Sequence, residues 1–261
     1  MKCNICTSEA LYFDQEKVLD KHQVSYFRCS FCGFVQTEDP YWLSEAYSEA
    51  INNSDVGLVS RNLRFSLITK SIILAFFDRN GDFIDYGGGY GLFVRLMRDY
   101  GFDFQWHDEF CPNLFATNSE MDPSHDRRYE LLTAFEVFEH LANPLHDISK
   151  MLDLSGSIFF STELLSTNPP RPGNWWYYGL EHGQHISFYT QRSLSCIADK
   201  FNLKLYTDGR SLHLLTDKTV SPCLFKIMSH YKLAELLHLV YKQKSLLADD
   251  FNTILSKANR K

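Results

Sequence analysis

No stretch of this 261-residue chain approaches 18 consecutive apolar residues, which excludes a membrane-spanning helix. Cations are scarce relative to acids, and the formal charge is −6. A long phosphate-backbone footprint needs many Lys and Arg on one face, so nucleic acid is not an expected partner, although a small anionic substrate could be held by one or two arginines. The opening Met1-Lys2-Cys3-Asn4 lacks a signal-peptide pattern, and the expectation is a soluble, cytoplasmic protein. In that compartment its seven cysteines read as thiols or metal ligands rather than disulfides. What is plentiful is core material, with 44% hydrophobic and 15% aromatic residues.

The segment that organises the chain is Phe83-Ile84-Asp85-Tyr86-Gly87-Gly88-Gly89-Tyr90-Gly91. An apolar run ends in an acid, a glycine-rich turn follows, and Leu92, Phe93, Leu96, Met97 and Tyr100 recur at helical spacing until Gly101. The pattern predicts strand, turn and helix, with the turn at the carboxyl end of a strand where open α/β sheets bind ligands. A dinucleotide fingerprint would need a third glycine at position 92 or 94, which are Leu92 and Val94, and no Gly-Lys-Ser/Thr follows to make a P-loop. The pattern present is D-x-G-x-G-x-G: Asp85, Gly87, Gly89 and Gly91. An acid beside such a turn suits a cationic ligand, where a phosphate would call for a lysine.

That motif resembles motif I of the class I S-adenosylmethionine (SAM)-dependent methyltransferases, and the resemblance covers roughly residues 75 to 217. It implies an α/β fold with a Rossmann-like, seven-stranded, mostly parallel sheet closed by a C-terminal antiparallel hairpin. The hairpin has its own signal, because Leu203 to Thr207 and Ser211 to Leu215 flank Asp208-Gly209. Phe102, Phe104 and Trp106 alternate with polar residues in a strand ending at Asp108-Glu109. An acid at that point is placed to accept ribose hydroxyls, a role assigned to Asp108 with Glu109 as substitute. Pro112 to Ala116 begins the next crossover. The resemblance implies a SAM site made of Asp85, Gly87, Gly89, Gly91, Asp108, Phe135 and Glu136.

Cys3-Asn4-Ile5-Cys6 and Cys29-Ser30-Phe31-Cys32 are two CxxC pairs, the spacing of a closed four-thiolate zinc site with a structural role. Aromatic residues interleave them, as a module too small for its own core needs. Cys111, Cys196 and Cys223 stand alone and read as small apolar core residues. The expected organisation is a zinc-binding module at 1–39, a helical linker or cap at 40–78 with a polar break at Asn52-Asn53-Ser54-Asp55, the methyltransferase core at 79–217, and a helical tail at 218–261. In the cap, Tyr47 and Arg61 either face the cofactor or pack the zinc module onto the core. The tail is basic, eight cations against three carboxylates counting Arg260 and Lys261. Its apolar stripe, Leu233, Leu236, Leu237 and Val240, packs on the core, on a second subunit as in a homodimer, or on a membrane surface.

The acceptor is expected at a lid, residues 166–190, whose Pro169, Pro170 and Pro172 forbid regular structure and whose Trp175, Trp176, Tyr177 and Tyr178 suit a sugar face or an aromatic ring. The run Glu136-Val137-Phe138-Glu139-His140-Leu141 follows the fourth strand of the expected core, and helical spacing would bring the carboxylates of Glu136 and Glu139 to one rim. Two mechanisms stay open. In one, His182 or His185 is a general base. In the other, Glu136, Glu139, His140 and His185 bind Mg2+ or Mn2+, a set similar to the metal constellation of small-RNA 2′-O-methyltransferases and of ubiquinone-pathway O-methyltransferases. The front cysteine module and the lid together look like bacterial enzymes that methylate sugars of surface polysaccharides or natural products. The implied activity is O-methylation of a carbohydrate or similar small molecule. An RNA methyltransferase and a non-catalytic SAM-binding interaction protein are the alternatives.

Overall fold

Ten strands, of which the inner ones at Leu131–Ala134 and Ser157–Ser161 are buried along their whole length as a covered parallel sheet requires, and eight helices form among residues 1–48, 55–122 and 128–258, which the computed structural model describes. In chain order they are β1 (Ala10–Val18), β2 (His22–Cys29), β3 (Val35–Thr37), α1 (Leu43–Ala46), α2 (Leu58–Phe76), β4 (Asp82–Tyr86), α3 (Leu92–Asp99), β5 (Asp103–His107), β6 (Leu131–Ala134), α4 (Pro144–Leu154), β7 (Ser157–Ser161), β8 (Ser187–Phe188), α5 (Gln191–Lys200), β9 (Lys204–Thr207), β10 (Leu212–Thr216), α6 (Pro222–Met228), α7 (Tyr231–Val240) and α8 (Leu247–Ala258). The expected polar break at Asn52, Asn53 and Ser54 and the tail charges Arg260 and Lys261 lie outside the described residues.

Among the described residues the main sheet has six strands in the order β5-β4-β6-β7-β10-β9, not the seven expected. Parallel pairing of β4 with β5 and β6, and the antiparallel β9–β10 hairpin across Asp208-Gly209, match the resemblance. The shortfall is at the β5 edge, where Trp106 makes a single parallel bridge to Glu120. Residues 117–122 are mostly polar and offer no apolar run to pair along β5. Pro112 to Ala116 opens the connection from β5 to β6, as expected. Asn113 organises it as a turn, its Oδ1 accepting from Ala116 N at 2.9 Å and its Nδ2 donating to Ala116 O at 2.7 Å.

The chain divides into two compact units. One comprises Met1–Asn52, Ala134–Asp153 and Ile158–Thr219. Within it a second sheet runs β1-β2-β3-β8, so a strand from the proline- and tryptophan-rich segment completes the sheet of the cysteine module. Its core joins Val18, Val24, Tyr26 and Val35 to Trp42, Tyr177, Tyr178, Ile186 and Phe188. The module thus borrows from residues 177–188 the apolar mass its own few residues cannot provide. Trp42 is anchored as well as buried, its Nε1 donating to Gly183 O at 2.8 Å.

The other unit comprises Asn53–Thr133, Leu154–Ser157 and Val220–Lys261. Helix α2 buries Ile68, Ile72 and Ile73 together with Lys70. The Lys70 ammonium is satisfied by Tyr241 O at 2.7 Å and lies 5.4 Å from the centre of the Tyr100 ring. Desolvation holds its pKa below the ordinary lysine value. Helix α8 is pinned to α3 by Asp250, which accepts from Arg98 Nε at 2.9 Å, Arg98 Nη2 at 2.6 Å and Arg95 Nη1 at 2.8 Å. The tail stripe does not pack as one face, for Leu236 and Val240 are exposed while Ala234 is buried. Cys223 is exposed, not a core residue, because α6 turns Phe225 inward instead.

Candidate functional site

Strand β4 delivers Asp85 to the glycine turn, where burial is almost complete at 4% exposure. Thr133 Oγ1, at the end of β6, donates to Asp85 Oδ1 at 2.6 Å. Burial outweighs that hydrogen bond and, with the nearby charge of Asp108, pushes the Asp85 carboxyl up to about 7. The turn above it uses its own donors: Gly87 N and Gly88 N both bond His107 O, at 2.9 and 3.1 Å, and Gly91 N bonds Gly88 O at 2.9 Å. Gly89 N donates to Asp108 Oδ2 at 2.8 Å. These N–H groups face protein acceptors, so the turn offers carboxylates where a phosphate site offers amides.

Two glycines have specific reasons. A Cβ on Gly88 would come within 2.8 Å of Trp106 Cδ1 and 3.0 Å of Asp85 Oδ2. Gly89 has φ +53° and nothing within 4 Å of its Cβ position, leaving open space beside the turn. Asp108 is the hub of the site: besides Gly89 N, its Oδ1 accepts from Phe110 N at 2.7 Å and Cys111 N at 2.8 Å. Three donors leave its carboxylate capacity for about one more. The Cys111 thiol is pushed up to about 11 by burial and by Asp108, which keeps it protonated.

Phe135 and Glu136 follow β6, but Glu136 does not continue into a helix beside Glu139. Its φ is +56°, a region side chains rarely adopt, held by Ser161: Ser161 Oγ accepts from Glu136 N at 2.8 Å and donates to Glu136 Oε1 at 2.7 Å. The segment Phe138–His140 is a single 3-10 turn. Glu136 and Glu139 are therefore not related by helical spacing, and Glu136 lies outside the cluster that Glu139 forms, although both carboxylates act on Tyr177.

That cluster is Glu139, His140 and His185, with one ligand atom from each lying within 4.8 Å of the others. Glu139 is fully buried. His140 Nδ1 is hydrogen-bonded to Tyr47 Oη at 2.8 Å, and burial together with His185 and His182 holds its pKa well below the ordinary value, so the ring is neutral at pH 7. His185 Nδ1 donates to Tyr177 O at 2.6 Å, which makes Nε2 the lone-pair nitrogen of the neutral ring. His182 has the opposite tautomer, its Nδ1 accepting from Gln184 N at 3.1 Å. Its ring also packs on Gly179, where a Cβ would come within 2.2 Å of Nε2. Tyr47 thus meets His140, whereas Arg61 pairs with Asp55 at 2.6 Å. Trp176 is 73% exposed, between half-buried Trp175 and buried Tyr177.

Cys3, Cys6, Cys29 and Cys32 converge with their Sγ atoms within 4.8 Å of one another. The contacts Cys3–Cys32 at 3.6 Å, Cys6–Cys29 at 3.4 Å and Cys6–Cys32 at 3.5 Å are far too long for disulfides and close to the roughly 3.8 Å edge of a tetrahedron with Zn–S bonds of about 2.3 Å. Backbone amides support thiolates, with Ile5 N on Cys3 Sγ and Cys32 N on Cys29 Sγ, both at 3.4 Å. The hydrogen bond from Cys32 lowers Cys3 to about 5, and the same contact raises Cys32. The four residues fit zinc, which would supply the positive charge that lets all four ionise.

A family profile described as a methyltransferase domain matches residues 61–207, more than half of the chain. Similar solved structures include an O-methyltransferase family 2 protein from Planctomyces limnophilus in complex with apigenin, 15% identical, TM-score 0.43, covering 67% of this chain and 65% of that one. An O-methyltransferase family protein from Burkholderia thailandensis is 10% identical, TM-score 0.47, covering 69% and 64%. Human N-acetylserotonin methyltransferase in complex with SAM is 13% identical, TM-score 0.41, covering 68% and 66%. This chain spans less than two thirds of the length of each. The comparison with curated proteins returned no match. By the family match across its glycine turn, its parallel strands and the first strand of its hairpin, the chain belongs to the methyltransferase-domain family.

Proposed function

We propose that the protein is a SAM-dependent O-methyltransferase whose acceptor is a sugar or similar polyhydroxylated small molecule. The observation that carries the cofactor assignment is the glycine turn, whose amides are engaged internally while Asp85 and Asp108 lie beneath and beside it. That arrangement favours a ligand with an ammonium and a sulfonium over one with a phosphate. The open space at Gly89 is where such a ligand approaches the backbone. Bound SAM supplies an electrophilic methyl group. Asp108 accepts one ribose hydroxyl, in keeping with its remaining capacity, and Asp85 counters the ligand's positive charge.

Methyl transfer is an in-line displacement, for which proximity and orientation are the main contributions of the protein, but an alcohol must also lose its proton. His185 is the residue assigned to take it, through Nε2, because Tyr177 O fixes the proton on Nδ1. His182, with the opposite tautomer, orders the loop. Trp176 offers an exposed ring for the apolar face of a sugar.

A second reading of the same cluster is favoured by the convergence of Glu139, His140 and His185 within 4.8 Å. A carboxylate and two imidazoles suit a divalent cation, with each ring's Nδ1 held by a neighbour, as ligating histidines require. A cation held there would lower the pKa of an acceptor hydroxyl. Chelation followed by Mg2+ or Mn2+ add-back separates the two readings, provided zinc content is measured in parallel: activity that returns with the added cation supports the second, and activity indifferent to both supports the first.

The assignment as a whole is tested by calorimetric titration of S-adenosylhomocysteine into the protein. Micromolar binding is expected, and absence of binding overturns the proposal.

A further inference from the structure

The four-cysteine module lies far in sequence from Glu139, His140 and His185, yet three chains of contact run from it to the segments that carry them, within one compact unit. The first starts at Gln36, which is 1% exposed. Its Oε1 accepts from Asn4 N at 2.8 Å and its Nε2 donates to Lys2 O at 3.2 Å, gripping the turn that carries Cys3 and Cys6. Its backbone, in β3, is paired with Ser187 of β8. Next along, Thr37 N donates to Ile186 O at 3.2 Å, and Ile186 N donates to Glu139 O at 2.9 Å. Ser187 Oγ closes the connection on Leu141 O at 2.7 Å.

The second chain starts at the other CxxC pair. Thr190 Oγ1 donates to Cys32 O at 2.6 Å while accepting from Ser193 N at 3.0 Å, so one hydroxyl joins the metal-site turn to the start of α5. Gly33, φ +74°, makes room for it, for a Cβ there would come within 3.1 Å of Thr190 Cγ2. The third is aromatic: the Phe34 ring lies 5.0 Å from that of Tyr189, whose hydroxyl donates to Phe138 O at 3.0 Å. Each CxxC turn therefore holds one end of the short segment from Ile186 to Thr190. His185 is the residue immediately before it, and Glu139 and His140 are bonded to or beside its partners.

We propose that the four-cysteine cluster with its metal is the frame that positions Glu139, His140 and His185, and that Gln36 and Thr190 are the two positioning residues through which it acts. The proposal rests on reading the Glu139–His140–His185 cluster as the acceptor-side chemistry. A tetrahedral metal would tie the turn ahead of β1 to the turn between β2 and β3. Both turns transmit that rigidity through half-buried hydrogen bonds, and because Gln36 itself is buried, removing its amide leaves Asn4 N and Lys2 O without that partner. On this account loss of zinc disables proton or cation handling at the cluster while leaving the glycine turn able to bind its ligand.

The test is amide hydrogen exchange on the full-length protein, followed by mass spectrometry, in four samples of measured zinc content: wild type, chelator-stripped wild type, Gln36→Met and Thr190→Val. Exchange over 138–142 and 184–190 is expected to accelerate tenfold or more in the stripped protein and in each variant. Exchange over 82–86, in β4, and over 204–216, in the hairpin, is expected to stay within twofold. Unchanged exchange over 138–142 and 184–190 in the stripped protein overturns the proposal, as does equal acceleration of the hairpin, which would make the module a general fold element. Should a variant fail to fold, the stripped wild type decides. S-adenosylhomocysteine titrated into the same samples keeps the two readings apart, because failure to bind in wild type condemns the methyltransferase assignment and leaves the exchange result to judge the frame.

Discussion

Tyr47 Oη lies 2.8 Å from His140 Nδ1, joining the residue after α1 to the acid-histidine run that follows β6. The bond orients a ring that burial keeps neutral at pH 7. Tyr47→Phe removes it and leaves the ring free to turn. A net loss of about 1 kcal/mol corresponds to a kcat roughly five- to tenfold lower. Steady-state kinetics and calorimetry check this together, because S-adenosylhomocysteine affinity is expected to hold within twofold.

Asp85 gives a pH dependence with a definite sign. Its folded carboxyl titrates near 7 against an ordinary value of 3.8, so the folded protein holds a proton that the unfolded chain has released. Ligand-free stability is therefore expected to fall as pH rises from about 4 to 7 and to level off above. A cationic ligand prefers the ionised carboxylate, so SAM affinity is expected to tighten up to about tenfold between pH 6 and pH 8. Asp85→Asn should flatten both profiles relative to wild type, in denaturant titrations and in calorimetry.

Neighbouring glycines of the turn should respond differently. Gly88→Ala drives a Cβ to 2.8 Å from the Trp106 ring and should destabilise the protein by about 1–3 kcal/mol. Gly89→Ala meets no atom within 4 Å and bears only the strain of φ +53°, about 1 kcal/mol. If the space beside Gly89 belongs to the ligand, Gly89→Ala should nonetheless lose more affinity for S-adenosylhomocysteine than stability. Equal losses measured by thermal unfolding and calorimetry would sink that placement.

The two lid histidines should separate in kinetics. His185→Asn is expected to lower kcat by about 100-fold or more, the usual contribution of a positioned base or ligand. His182→Asn is expected to cost less than tenfold, since its ring orders the loop through Gln184 N. Reversal of that order would transfer the proton-accepting role to His182.

A structural histidine sets acid sensitivity. His213 is fully buried, with Nε2 donating to Thr162 O at 3.0 Å and Nδ1 bonded to Thr207 Oγ1 at 2.8 Å, and burial lowers it to about 4. The unfolded chain takes up a proton below about 6.5 where the folded one does not, so stability is lost as pH falls from 6.5 to 4. The loss is on the order of 3 kcal/mol by the size of that shift. Urea titrations of wild type and His213→Gln at pH 7 and pH 4.5 check it, with the variant expected to lose less.

Local signals in the chain were sufficient wherever the chemistry is local. The D-x-G-x-G-x-G run dictates a strand, a turn with left-handed glycines and a helix, because only glycine adopts those angles at low cost. Two CxxC pairs dictate a thiolate cluster, and Asp208-Gly209 dictates a hairpin. Long-range pairing was another matter. Helical spacing put Glu136 beside Glu139, but Ser161, 25 residues on, holds Glu136 in a left-handed conformation, and it stays outside the cluster that Glu139 forms. The missing seventh strand is equally non-local, since a strand forms only if its partner edge finds an apolar run to pair with, and beyond Trp106 it finds one bridge. Which nitrogen of each neutral histidine keeps the lone pair depends on whether a carbonyl or an amide meets Nδ1, and which strand completes the cysteine module's sheet depends on β8 arriving from far along the chain, Phe188 opposite Val35. Residue type and spacing determined what this protein could bind; only the tertiary hydrogen bonds, made between residues that no local pattern relates, decided which side chains meet and in which tautomer.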